Sequence, residues 1–223
     1  MKKETESEIS HTITFSDLLL RPRNVALLIT RSEHAFIARS IVLLLIFSAL
    51  VGGIYGGIFS TDKTFIFHDA YKTAIVNGLT VLFAYPLLAV FLRLFGGREV
   101  LLIKSPFKKC LSVLSISWSY LPIMLLLTAP AYVLSALNNL GSGDMIFKTL
   151  TVFSGVVSII MLARYLHQVY DISYFATVPI AILIGFYMLL LAINLLALLA
   201  PFKSVAIYYG FYGRAAEALT IVK

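Results

Sequence analysis

The chain has 223 residues, of which 60% are hydrophobic and only 13% charged, and its mean hydropathy is +0.92. Water-soluble domains run near half apolar and a quarter charged, so this composition excludes an ordinary globular domain and describes one integral membrane domain. The formal charge of +7 does not point to nucleic acid, because the basic residues lie between apolar runs, where topology and anionic headgroups account for them.

The opening "MKKETESEIS" is polar and lacks an apolar centre, so it does not have the form of a cleaved secretory signal. Behind it comes "FSDLLLRPRNVALLITRSEHAFIAR", in which Leu18 to Leu20, Val25, Leu28 and Ile29 fall at roughly helical spacing around a break at Pro22. Such a segment is expected to lie on the inner membrane surface as an amphipathic elbow. Its arginines Arg21, Arg23, Arg31 and Arg39 would then reach toward headgroups. A docking site for a soluble partner is the other reading. Residues 1–39 form this tail and interfacial segment, 40–200 the transmembrane domain and 201–223 a C-terminal interfacial tail.

Five apolar runs are long enough to cross the hydrocarbon layer as helices: Ser40 to Phe59, Ala74 to Phe95, Leu111 to Val133, Leu150 to Tyr170 and Phe175 to Ala200. The expected fold is therefore all-α, an integral membrane helical bundle of about five transmembrane helices. In the first run Ser48, Gly52 and Gly56 recur every four residues, and small residues on one face let a neighbouring backbone come close. The second carries Asn77 and Pro86. Pro86 has no N–H for the carbonyl of Leu82, which predicts a kink.

The third run, "CLSVLSISWSYLPIMLLL", places Ser112, Ser115 and Ser119 on one stripe, with Ser117 offset and Pro122 as a second kink. The stripe should face protein rather than acyl chains, and two kinked helices can frame a cavity. Ser105 followed by Pro106 has the form of a helix start ahead of this span. The fourth run repeats the small-residue device with Thr151, Ser154, Gly155 and Ser158. Asn194 is the polar side chain of the fifth. Asn77 and Asn194 are thus candidates for a polar cavity, with helix clamping as the plainer alternative.

Counting Lys and Arg on alternate sides puts 12 of 18 with an inside N-terminus, which predicts a cytoplasmic N-terminus and an external C-terminus. The final "VAIYYGFYGRAAEALTIV" is read as an interfacial helix, with a re-entrant or sixth spanning segment as alternatives.

Few chemical signatures are present. His11, His34, His68 and His167 have no metal-ligand spacing, Cys110 is the single cysteine, and "GGIYGG" and "FGGRE" lack the features of a phosphate loop. No catalytic, cofactor or metal residue is therefore assigned, and no enzyme activity is expected. Intramembrane acids, which a proton-coupled pump would carry, are missing from the span centres.

Three stretches carry a resemblance: "LLLRPRNV" before the first span, "LFGG" closing the second and "SPFKKCLSVLSISWSYLP" opening the third. In this order they resemble the YIP family of small multi-pass membrane proteins, named for interaction with Ypt/Rab GTPases, and in particular its bacterial-type branch. The resemblance implies a cytoplasmic N-terminus, about five spans, a helical bundle in a bacterial inner membrane and no catalytic residues. The DLYGP-type signature of eukaryotic trafficking members is absent from this sequence, so Rab binding does not carry over. Two readings remain: a non-catalytic interaction or scaffold component with a membrane-protein partner or a second copy, and a small transporter or permease subunit with a cavity between kinked helices.

Overall fold

The computed structural model describes Leu18 and residues 21–31, 34–59, 64–95, 106–137 and 143–198, with side chains described for most of these. The expected tail 1–17, the 201–223 segment, the "LFGG" glycines, the Arg31 side chain and the surroundings of Gly56 lie outside the described residues.

All regular structure among the described residues is helical: α1 (Pro22–Arg31), α2 (His34–Phe59), α3 (Thr64–Phe95), α4 (Pro106–Leu137), α5 (Gly143–Tyr170) and α6 (Tyr174–Leu198). Five of them, α2 to α6, are long and apolar enough to cross a membrane, over Ile37–Ile54, Asp69–Phe95, Lys108–Pro130, Thr149–Tyr170 and Tyr174–Leu195. The chain is a multi-pass membrane protein built as a helical bundle.

Each spanning helix begins before its apolar run. Most notably, α3 starts at Thr64, ten residues before Ala74, because Asp69, Lys72 and Thr73 are buried against neighbours rather than set in a loop. α4 begins at Pro106, the position where a missing N–H removes no intrahelical bond. Prolines are carried inside three helices without ending them: Pro86 in α3, Pro122 and Pro130 in α4, and Pro179 in α6.

α4 is the axis. It packs on α2, α3 and α5, while α2 packs on α3, α3 on α6 and α6 on α5, so the other spans form a wall around it. The outward faces of that wall are apolar stripes, such as Val42, Ile46, Leu50 and Ile54 of α2, all exposed. This is the arrangement lipid permits, since acyl chains solvate those side chains as well as a protein core would.

α5 and α6 are joined by a three-residue turn. Asp171 takes the left-handed backbone conformation (φ 54°) that reverses the chain. Ser173 then starts α6, its carbonyl accepting from the backbone N–H groups of Ala176 (3.1 Å) and Thr177 (3.0 Å). His167 Nδ1 lies 2.7 Å from the Ile172 carbonyl, and its ring packs on Tyr174 with centroids 3.9 Å apart. The two helices are thereby fixed as an antiparallel pair.

α1, expected as a surface elbow, packs on the bundle through its apolar face. Its buried side chains, Val25, Ala26 and Ile29, together with Leu18, belong to the same apolar core as α4 and α5, and α1 packs directly on those two helices. The amphipathic pattern is present, with Arg21 and Arg23 exposed, but its apolar face is covered by protein instead of by headgroups.

Candidate functional site

The polar atoms of this bundle gather along α4, so the interior around α4 is the place to look for chemistry. Asn77 of α3 is buried there, 5% exposed. Its Nδ2 donates to the Thr73 carbonyl one turn earlier at 3.1 Å, and its Oδ1 accepts from Trp118 Nε1 of α4 at 2.8 Å. A neutral amide buried with both ends satisfied is a clamp between two helices. Trp118 fills the same junction with its ring, so the junction between α3 and α4 is occupied by side chain.

The serine stripe of α4 faces protein, but so does every other face of the helix at that depth. Ser112, Ser115, Ser117 and Ser119 are all buried, together with most residues between them. Ser117 and Ser119 donate back to the carbonyls of Val113 and Ser115, each at 2.6 Å. Neither hydroxyl serves the Trp118 carbonyl, the acceptor that Pro122 frees. The hydroxyls of Ser112 and Ser115 in α4, and of Ser48 in α2, are buried without a hydrogen-bond partner among the described residues.

Gly52 is the tightest point of the α2–α3 seam. A Cβ there would stand under 3.0 Å from the Asp69 carbonyl oxygen and from the Thr73 side chain, so only glycine fits. Gly155, the corresponding small residue on α5, has nothing within 4 Å of an added Cβ and makes no such seam. Gly185 of α6, not singled out by its spacing, does make one: its Cβ would meet the Ile159 side chain of α5 under 3.0 Å. Ser154 and Ser158 bond back within α5 to Leu150 (2.7 Å) and Ser154 (3.0 Å).

Asn194 parts company with Asn77. It is exposed on α6 and donates to the Leu190 carbonyl of its own helix at 2.7 Å. One amide is buried between α3 and α4, and the other faces outward. The prolines also divide: Pro122 is buried in α4, whereas Pro86 is exposed on α3.

A second polar group joins α1 to the axis. Tyr120 of α4 donates its hydroxyl proton to the Leu18 carbonyl. With that proton used, Tyr165 of α5 is the donor in the 2.9 Å contact between the two tyrosine hydroxyls. At the other end of α1, Lys109 Nζ donates to the Thr30 carbonyl. The two anchor points lie 12 positions apart on the N-terminal chain and 11 apart on α4. The earlier anchor on the N-terminal chain meets the later one on α4, and the later meets the earlier, so the two run antiparallel. Neither tyrosine is conspicuous in the sequence, since the partners are 45 and 102 positions apart.

The side-chain hydrogen bonds between helices described in this interior join α4 to α3, to α5 and to the N-terminal chain. Among the described residues no group of three or more His, Cys, Asp or Glu could hold a metal ion, and Cys110 is buried in the core. No protein-family model, curated protein or solved structure matches this chain.

Proposed function

We propose that this chain is a non-catalytic membrane interaction or scaffold protein of the YIP type. It sits in a bacterial inner membrane with its N-terminus in the cytoplasm, and it serves a membrane-protein partner or a second copy of itself. The observation that carries this reading is the filled axis: where a transport path would run, α4 is buried on all sides and Trp118 closes the gap to Asn77. A translocation route needs polar groups that converge on a hydrated cavity, whereas here Asn77 is spent between two helices and Asn194 faces outward.

One observation favours the transporter reading, the buried hydroxyls of Ser48, Ser112 and Ser115 that have no partner among the described residues. Thiol accessibility separates the two. In a Cys110→Ala background, Ser48→Cys, Ser112→Cys and Ser115→Cys are each exposed to a membrane-impermeant maleimide in sealed vesicles of either orientation. The scaffold reading expects no labelling, and labelling of two or more from the aqueous phase overturns it. Reporter fusions at both ends test the orientation, with a cytoplasmic signal expected at the N-terminus alone.

A further inference from the structure

Beyond the scaffold reading, the outer face of the α5–α6 pair holds a feature that the packing of the bundle does not use. Between the two helices lies a groove of about 540 Å³. Its walls are two antiparallel stripes at four-residue spacing: Val156, Ile160, Arg164 and Gln168 along α5, and Val178 and Ile182 along α6.

The groove is asymmetric along its length. Toward α2's and α4's N-terminal end of the bundle it presents the Arg164 guanidinium, the Gln168 amide and the ring of Tyr174. Toward the other end it is aliphatic. Val156 to Gln168 spans about 18 Å at helical rise, close to the roughly 15 Å that one leaflet contributes to a 30 Å hydrocarbon layer. A cation at one end of a leaflet-long apolar channel matches the shape of a phospholipid, and guanidinium binds phosphate oxygens in pairs.

The charge is not neutralised from within. Among the described residues no acidic side chain lines the groove and no carboxylate pairs with Arg164, while Asp171 is exposed in the turn. The Tyr120 and Tyr165 hydroxyl pair lies within electrostatic reach of it. Gln168 Oε1 is buried without a partner among the described residues. The walls are held apart at fixed spacing by the Asp171 turn and by Gly185 against Ile159.

We propose that this groove binds one anionic glycerophospholipid, its phosphate on Arg164 and an acyl chain along Val156, Ile160, Val178 and Ile182.

The full chain, reconstituted in nanodiscs of equal phosphatidylcholine and phosphatidylglycerol and released into mild detergent, is weighed by native mass spectrometry. Retained phosphatidylglycerol in excess over phosphatidylcholine is expected, at one molecule per chain. Arg164→Gln should lower retention by about tenfold or more, Arg164→Lys by less, and Arg93→Gln, exposed on α3 outside the groove, not at all. Val178→Trp, at an exposed position where folding is undemanding, should lower it with Arg164 intact. Equal retention of the two lipids, or Arg164→Gln indistinguishable from the parent, overturns the proposal. So does displacement by glycerol phosphate together with an unaffected Val178→Trp, because that result describes an anion site without chains. Dimers in place of lipid adducts, lost on Val178→Trp, would make the groove a contact with a second copy and equally overturn it.

Discussion

α4 and α6 are both transmembrane helices carrying proline, yet they stand in opposite places. α4 has serines along its length, is the less hydropathic of the two, and 78% of its span is buried. α6 is mostly Leu, Ile, Ala and Phe, and only 44% of its span is buried. α2 carries the contrast further, with 28% buried. In water the most apolar helix would occupy the centre. In a bilayer acyl chains solvate apolar side chains for nothing, so interior position goes to residues that gain something from protein, small ones that permit close approach and polar ones that need a partner. The serines and Trp118 therefore locate the axis better than hydropathy does.

That contrast can be broken most forcefully at the seam. Gly52→Leu puts a branched side chain into the Asp69 carbonyl and Thr73, backbone and β-branched neighbours that cannot swing away. A cost of about 3 kcal/mol or more is expected, read as a lowered thermal midpoint and loss of a single species in detergent gel filtration. An unchanged midpoint would remove the seam. The double change with Gly56→Leu should be at least as severe.

Next in size is Trp118→Phe, which keeps the ring but leaves Asn77 Oδ1 buried and unpaired, at a cost of about 1–2 kcal/mol. Asn77→Leu in the same background should recover part of the loss, because the stranded acceptor goes with it; thermal midpoints of the four proteins form the cycle. Additive losses would show that the two side chains are not coupled.

Ser117→Ala and Ser112→Ala sharpen the comparison within α4 itself. Ser117 gives up a 2.6 Å bond to the Val113 carbonyl, whereas Ser112 gives up a buried hydroxyl without a partner among the described residues. Ser112→Ala is therefore expected to be neutral or stabilising by about 0.5–1 kcal/mol, and Ser117→Ala neutral or slightly destabilising. Smallest of all is Leu183→Ala on the exposed face of α6, expected within about 0.5 kcal/mol of the parent. A loss there matching that at Trp118 would mean α6 is covered by another protein rather than by lipid.

The five spans were legible because lipid demands long apolar helices, a constraint visible without any tertiary contact. What escaped was everything that depends on which surface covers a face. Asp69 and Lys72 look like loop residues in the sequence, and only the packing of α3 shows them within a helix. Val25, Ala26 and Ile29 make the same stripe whether headgroups or α4 lie beneath, so α1 was expected on the membrane surface. Asn77 stood out as a polar group at depth, but Trp118 as its partner did not, and Asn194 is indistinguishable from it by residue type. Gly155 and Gly185 sit in similar apolar runs. The one meets open space and the other Ile159.

The bond between Tyr120 and the Leu18 carbonyl also orders events in time. The Leu18 carbonyl leaves the ribosome before its donor, the Tyr120 hydroxyl of α4, 102 positions later, has been made. At roughly 5–20 residues per second, that interval is at least about 5 seconds. During it Leu18, Val25 and Ile29 have no protein surface to cover them. Docking of α1 therefore has to wait for α4, and its contact with α5 for longer still.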